Sequence, residues 1–112
     1  MFNMLLLTFV SVGGLVIALS IPMALRRIGP NWFYGFRTLK TMRDPDIWYD
    51  ANAYAGKCLL LSGIVIAAFP VALYLLMPNV HPAALALTSA VVTLAAVLAS
   101  TIQSMRYLST LD

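Results

Sequence analysis

Charged side chains are scarce in this sequence, and glutamate is absent altogether. Three long runs, residues 3–25, 58–77 and 83–105, contain no acidic, basic or histidine side chain at all. Pumps and small drug exporters place such side chains inside the membrane, where they relay protons or form ion pairs. Because all three runs lack them, the sequence argues against a transporter.

Cysteine and histidine each occur once, as Cys58 and His81. A single cysteine excludes an intramolecular disulfide, and the sequence holds no cluster of residues suited to metal binding. His81 lies in a short turn without an acid or thiol partner, so we expect an ordinary loop residue. Cys58 precedes three leucines, which favours a buried apolar side chain over an acylated or reactive thiol. Since there is no phosphate-binding glycine loop and no nucleophile beside a base, we expect no enzyme, no cofactor and no metal site.

Hydrophobic residues are abundant instead, and their distribution predicts membrane helices. They make up 62% of the 112 residues, charged residues make up 10%, and the mean hydropathy of +0.90 lies outside the soluble range. At about 1.5 Å per residue, the first run makes a helix of roughly 34 Å, enough to cross a hydrocarbon core of about 30 Å. That run lacks the basic start of a secretory signal and is too long for one, so we expect it to be retained. The sequence therefore predicts one all-α membrane domain over residues 1–112, with transmembrane helices at 3–25, 58–77 and 83–105.

All seven basic side chains fall on one side of the predicted membrane. Arg106 follows the third span and the others lie in the polar segment 26–57, whereas the N-terminus and the turn 78–82 contain no lysine or arginine. The positive-inside rule makes this side cytoplasmic, which places the N-terminus outside and the C-terminus inside. The net charge of +3 is thus explained by orientation in a plasma membrane, and no nucleic-acid partner is expected.

Small residues recur in the spans at the spacing used for close helix contacts in membranes. Pairs four residues apart let two backbones approach, either within the protomer or at the interface of an oligomer, and both interpretations are open. The candidate packing residues are Gly13, Gly14 and Ala18 in the first span and Ala86, Ala90 and Ala96 in the third.

The second half of the polar segment predicts a helix. Asp44 suits the N-cap, Pro45 suits the first turn, and Asp46 complements the helix dipole. Apolar residues then recur at helical spacing and form one stripe that runs on into the second span. The stripe consists of Ile47, Trp48, Ala51, Tyr54, Ala55 and Cys58. We therefore expect this amphipathic stretch and the second span to be one continuous helix.

The first half of the segment, residues 28–38, mixes turn-forming residues with four aromatic residues. Tryptophan and tyrosine rings favour the headgroup layer of a membrane, which is enough to explain the aromatic residues. A functional interpretation is also open, in which Gly35 permits a tight turn that presents Arg37 and Thr38 to a ligand or partner.

Two polar residues of the predicted helix, Asp50 and Asn52, lie within two turns of the membrane surface. Either one is placed to pair with Arg37 or Lys40. Such a pair would hold the loop against the helix.

Several residues of the polar segment occur in a recognisable order. Pro30 and Asn31 precede the element Tyr-Gly-Phe-Arg-Thr at 34–38, an acidic pair follows, and spaced Trp, Asn and Gly residues lead into the second span. This order resembles the SdpI family, whose namesake is a membrane immunity protein against a secreted sporulation-delay killing factor. The resemblance covers roughly residues 10–77. By position it implies a role in partner binding or loop organisation for Asn31, Tyr34, Gly35, Phe36, Arg37, Thr38, Trp48, Asn52 and Gly56.

Two functions fit the sequence best, and a third, an oligomeric pore lined by polar residues of the spans, ranks last because the number of such residues is ordinary for membrane helices. The first is an SdpI-like membrane binding protein that confers toxin immunity or signals through the segment 26–57; its partner would be another membrane protein or a peptide. The second is an accessory structural subunit of a larger membrane complex, which contacts its neighbours through small residues of the spans. In both cases the protein resides in the bilayer of the plasma membrane, which is the bacterial inner membrane if the resemblance holds, and a homo-oligomer is possible.

Overall fold

The computed structural model describes residues 2–30 and 35–111, and the described chain is helical apart from its turns and loops. Its helices are α1 (Phe2–Ala24), α2 (Leu39–Arg43), α3 (Pro45–Leu76) and α4 (Pro82–Leu108). Three of them, α1, α3 and α4, are long and apolar enough to cross a membrane. The prediction of an all-α chain with three such helices is confirmed.

The longest helix, α3, lies between the other two long helices. It packs against both α1 and α4, which make few contacts with each other. Its 32 residues extend about 48 Å, which exceeds the thickness of a hydrocarbon core. The amphipathic stretch and the second span are therefore one continuous helix, as the sequence predicted, and the polar turns of α3 continue past the apolar layer.

The polar segment and the C-terminal end of α4 lie at the same end of the bundle. We call this the basic end and define it as the described residues 26–30, 35–57 and 106–111. Two contacts show the arrangement: the rings of Tyr54 and Tyr107 stack with their centroids 4.3 Å apart, and Lys40 Nζ donates to the Leu108 carbonyl oxygen at 3.0 Å. The turn between α3 and α4 occupies the opposite end of the bundle.

Close contact between α1 and α3 depends on glycine at two levels. A Cβ atom at Gly13 would lie 2.7 Å from the Gly63 carbonyl oxygen. A Cβ atom at Gly56 would lie 2.5 Å from the Ala24 nitrogen and 2.8 Å from the Ser20 carbonyl oxygen. These distances are shorter than any van der Waals contact, so only glycine lets the two backbones come this close.

Three of the candidate packing residues lie on other faces. Nothing lies within 4 Å of a Cβ atom built at Gly14, and Ala18 and Ala90 are exposed. The pair Gly14 and Ala18 makes no contact of this kind inside the protomer, because α3 meets α1 along the face of Gly13 and leaves the adjacent face open. Ala96, in contrast, does face α3, since its carbonyl oxygen accepts from Ser62. For Gly14, Ala18 and Ala90, contact with another protein stays a prediction; Ala86 is half-buried on α4.

Serine hydroxyls join α3 to α4. Ser62 donates to the Ala96 carbonyl oxygen at 3.0 Å, Ser100 donates to the Cys58 carbonyl oxygen at 3.1 Å, and the two hydroxyls also contact each other. Hydroxyls that bond to a neighbouring backbone satisfy themselves where lipid offers no partner. The Cys58 side chain is half-buried, where full burial was expected, because its thiol faces Gln103 Oε1 at 3.5 Å.

The helices α3 and α4 both begin with a side chain that caps the helix N-terminus. The Asp44 carboxylate accepts a hydrogen bond from the Asp46 backbone N–H at 2.9 Å, which confirms the predicted N-cap of α3. His81, expected to be an ordinary loop residue, is the N-cap of α4, where its Nδ1 accepts from the Ala83 N–H at 3.0 Å. The histidine therefore has a local structural role.

Candidate functional site

The loop between α1 and α2 is attached at both ends to one face of α3. Trp48 and Asn52, which we call the loop clamp, are one helical turn apart and both are buried. The Trp48 indole Nε1–H donates to the Ile28 carbonyl oxygen at 2.8 Å. Asn52 binds the backbone of Phe36. The start and the end of the loop are thus held by two side chains of α3.

The amide of Asn52 uses both of its ends. Its Oδ1 accepts from the Phe36 N–H at 2.5 Å, and its Nδ2 donates to the carbonyl oxygens of Phe36 at 3.2 Å and Trp48 at 2.9 Å. This donor and acceptor pattern fits an amide in one orientation only, since a flipped amide would set N–H groups against each other. Asn52 is 2% exposed, so water does not compete for these bonds.

Gly35 is the residue that brings the loop onto the clamp. Its φ of +113° lies in the region that side chains with a Cβ rarely adopt. A Cβ atom there would lie 2.8 Å from Asn52 Oδ1 and 3.1 Å from the Trp48 ring. Both the backbone conformation and the space therefore require glycine, which agrees with the tight turn expected at this position.

Phe36 connects the loop to both α3 and the C-terminal end of α4. It is half-buried and packs on a cluster formed by Ile47, Ala51 and Leu108. The Lys40 ammonium group binds the Leu108 carbonyl oxygen, where α4 ends and a cation complements the helix dipole. The loop, α3 and the end of α4 consequently form one packed unit.

The short helix α2 follows the loop and was not predicted. Thr38 is its N-cap and Thr41 completes a capping box: the Thr41 N–H donates to Thr38 Oγ1 at 3.1 Å, and the Thr38 N–H donates to Thr41 Oγ1 at 2.7 Å. Thr41 is fully buried. Thr38 therefore organises the backbone through these bonds, and its spacing of three from Thr41 was the sequence signal for α2.

The chain leaves α1 in a conformation that is unusual for a residue with a side chain. Arg26 has a φ of +60°, and the Arg27 N–H donates to the Pro22 carbonyl oxygen at 2.9 Å, which closes the helix as glycine usually does. Arg26 then pairs with Asp50 on α3 at 2.8 Å. Both side chains are well exposed, so this pair adds little to stability.

Three of the polar residues expected to hold the loop have partners other than the expected pairs. Asp50 pairs with Arg26, Asn52 binds the backbone of Phe36, and Lys40 binds the Leu108 carbonyl oxygen. The reason is geometric. Arg26 follows directly after α1 and lies within 2.8 Å of Asp50, and the backbone of Phe36 occupies the hydrogen-bonding groups of Asn52. The expected consequence, a loop held against the helix, is nevertheless what the structure has.

The predicted site residues fall into three groups. Gly35, Phe36, Trp48 and Asn52 meet at the loop clamp, and Thr38 begins α2 beside it. Gly56 lies instead at the contact with α1, and Arg37 is exposed next to Phe36. Asn31 and Tyr34 lie outside the described residues. No feature of the sequence marks the backbone carbonyl groups of Ile28 and Leu108, which accept hydrogen bonds from Trp48 and Lys40.

In residues 2–30 and 35–111, no three His, Cys, Asp or Glu side chains come together in a way that would hold a metal ion. What the basic end presents is a fixed backbone turn with basic side chains around it, an arrangement that suits an acidic or polar partner.

Comparison with known proteins gives a family for this arrangement. The family model described as the SdpI/YfhL protein family matches residues 27–105, which includes the loop, α2, α3 and most of α4. A Bacillus subtilis (strain 168) protein named "Uncharacterized protein YfhL" is 38% identical over 56 residues, covering 50% of this chain and 46% of that relative. The match thus spans about half the length of that relative, and no solved structure gives a significant match. Because the family model covers well over half of the chain, this small membrane protein belongs to the SdpI/YfhL family.

Proposed function

We propose that this protein is a membrane binding protein of the SdpI type, which confers immunity to a toxin or signals its presence through the segment 28–56. The observation that carries the proposal is the loop clamp. Two buried side chains hold the backbone at Ile28 and at Phe36, so a partner that binds beside these points meets a backbone that is already ordered.

Three features support binding at this end of the molecule. Arg37 is exposed directly beside the clamped backbone of Phe36, and α2 adds Lys40 and Arg43. The loop also contacts the C-terminal end of α4 through Leu108. A partner bound here would therefore contact the loop, and the loop in turn contacts α3 and α4.

The proposal predicts that Arg37→Ala removes function while leaving the protein inserted. Bacteria that express the chain would be exposed to the secreted sporulation-delay killing factor, and the lowest inhibitory concentration measured. We expect Arg37→Ala to lower protection at least about tenfold, as expected when a buried or ordered charge-assisted bond worth about 1.5–3 kcal/mol is lost.

Arg106→Ala is the matched control, since it removes the same charge from the same end but lies outside the loop. It should retain protection, and immunoblots of membranes should show equal amounts of both variants. If Arg37→Ala and Asn52→Ala both protect like the unsubstituted protein, the loop is not the docking surface.

We also propose that the basic end faces the cytoplasm, because the positive-inside rule applies to all seven basic side chains. The test places one cysteine at each end in a Cys58→Ser background, using the exposed positions Asn79→Cys and Thr110→Cys. A membrane-impermeant maleimide should label Asn79→Cys in intact cells and Thr110→Cys only after permeabilisation. The reverse pattern would invert the orientation.

A second function, an accessory subunit of a larger membrane complex, is favoured by one observation. Gly14 and Ala18 form an exposed strip of small residues on α1, at the spacing that suits close helix contact. Gentle detergent extraction followed by mass spectrometry separates the two functions. Co-purification with a large complex at fixed stoichiometry favours the subunit, and its loss in Gly14→Leu would locate the contact.

A further inference from the structure

A lateral groove lies between α1 and α4, which flank α3 and make few contacts with each other. Its volume is about 320 Å³, which is within the range of small-molecule sites. Val16, Leu19 and Met23 of α1 line one wall, and Ala55 and Leu59 of α3 line the floor. All of these side chains are apolar, so the body of the groove suits a hydrocarbon chain.

The wall on α4 differs, because it carries hydroxyl groups. Ser104 is 4% exposed and lines the groove, and no hydrogen bond joins its hydroxyl to another residue in the part of the chain that the structure describes. Thr88, Thr93 and Thr101 of α4 bond to their own helix at 2.7–2.9 Å, and Ser100 bonds to α3. The buried Ser89 hydroxyl has no partner among the described residues, but Ser89 lies outside the groove lining. Ser104, in contrast, offers its donor to whatever occupies the groove.

Polarity changes along the groove in a fixed order. Gly35 and Phe36 of the clamped loop line it at the basic end, and Ser104 lies about 6 Å before the end of α4 at Leu108. Every charged side chain of the protein lies in the segment 26–57 or after residue 105, so the net charge of +3 belongs to this end. Apolar walls, a hydroxyl donor and an excess of positive charge thus follow one another toward the membrane surface.

The same order occurs in a phospholipid, which has an acyl chain, an ester carbonyl and a phosphate. We propose that the groove binds one acyl chain of an anionic phospholipid from the leaflet that contacts the basic end. Ser104 donates to the ester carbonyl oxygen, and the basic side chains beyond Phe36 attract the phosphate. This lipid site does not depend on the docking of a partner to the loop, so either proposal can fail without the other.

The test uses the purified full chain, transferred to nanodiscs of phosphatidylglycerol or of phosphatidylcholine and released for native mass spectrometry. We expect one phosphatidylglycerol molecule to remain bound to the protein. The fraction of protein that retains phosphatidylcholine should be at least about fivefold lower. Equal retention of both lipids, or retention of neither, would overturn the proposal.

Thr101→Phe is the first variant, because Thr101 is exposed on the rim and the larger ring fills the groove. We expect it to lower retention of phosphatidylglycerol at least about fivefold. Thr88→Phe is its control: Thr88 is exposed on the same helix, bonds to its own backbone in the same way, and lies outside the lining. Retention that is the same in Thr101→Phe as in Thr88→Phe would contradict the site.

Ser104→Ala is the second variant, and it keeps the helix contacts while removing the donor. Loss of one hydrogen bond worth about 1 kcal/mol corresponds to about fivefold weaker retention. Ser11→Ala, at an exposed position outside the lining, should retain the lipid fully. Unchanged retention in Ser104→Ala would exclude the ester contact. A separate test places cysteines at positions 19 and 101, and a cross-linked dimer would show that a second copy of the chain fills the groove instead of a lipid.

Discussion

The substitution Gly56→Ala is expected to lower the free energy of unfolding by about 3 kcal/mol, the upper end of the usual cost of overpacking. The added methyl group would lie 2.5 Å from the Ala24 nitrogen and 2.8 Å from the Ser20 carbonyl oxygen, and both of these atoms belong to the backbone of α1. Backbone atoms inside a helix cannot move aside as a side chain would. The helices α1 and α3 must therefore move apart until the methyl group reaches a normal van der Waals distance from these atoms. This movement disrupts the packing around Gly56.

Unfolding in mixed micelles of a mild detergent and dodecyl sulfate, followed by tryptophan fluorescence, measures this effect. Gly14→Ala is the matched control, because it makes the same change within a long helix where no atom lies within 4 Å. It should change the free energy of unfolding by less than about 1 kcal/mol, the range of the helix propensity difference alone. If the two variants unfold alike, the close approach of α1 and α3 at Gly56 is not what stabilises the bundle.

The substitution Asn52→Ala is expected to release the loop from α3. It removes three hydrogen bonds and leaves the Phe36 N–H and carbonyl groups without their partners in a part-buried position. Each of the two groups left unsatisfied costs about 1–3 kcal/mol, so we expect a loss of about 2–6 kcal/mol in total. The loss is concentrated in the loop, because α3 itself keeps its backbone hydrogen bonds.

Hydrogen exchange at the Phe36 amide distinguishes this local effect from global unfolding. A loss of about 2 kcal/mol corresponds to roughly thirtyfold faster exchange at that amide. Asn52→Asp should release the loop at least as much, since one carboxylate oxygen would face the carbonyl oxygens of Phe36 and Trp48 in a position that is 2% exposed. Asn79→Ala, in the exposed turn at the opposite end, should leave the exchange unchanged. Unaltered protection of Phe36 in Asn52→Ala would show that the clamp does not hold the loop.

The helices of this protein could be predicted well, because each depends on a signal that is local in the sequence. Uncharged runs of sufficient length indicated α1 and α4, and the stripe that begins at Ile47 indicated that α3 is continuous. The cap at Asp44 could be predicted from the Asp-Pro-Asp sequence alone. The five residues of α2 escaped prediction, since a helix that short has no periodicity and only the spacing of Thr38 and Thr41 marked it.

The candidate site could be predicted in its residues but only partly in its contacts. The family resemblance pointed to Gly35, Phe36, Trp48 and Asn52, and these four do meet. Their actual partners include the backbone atoms of Ile28 and Phe36, and no residue type marks a backbone atom in a sequence. Gly56, in contrast, was assigned to the same set and lies against α1, because a glycine before a span has the same appearance whether it serves a turn or a helix contact.

The sequence by itself determined that the chain is a membrane protein of three long helices, because hydropathy and length decide whether a helix can cross a bilayer. It also determined that all charge lies at one end. Only the tertiary structure decided which glycines bring α1 and α3 together, that Asn52 and Trp48 fasten the loop, and that a groove remains between α1 and α4. These features depend on which helix faces meet, and in a membrane, where apolar residues cover every face, hydrophobic patterning does not distinguish one face from another.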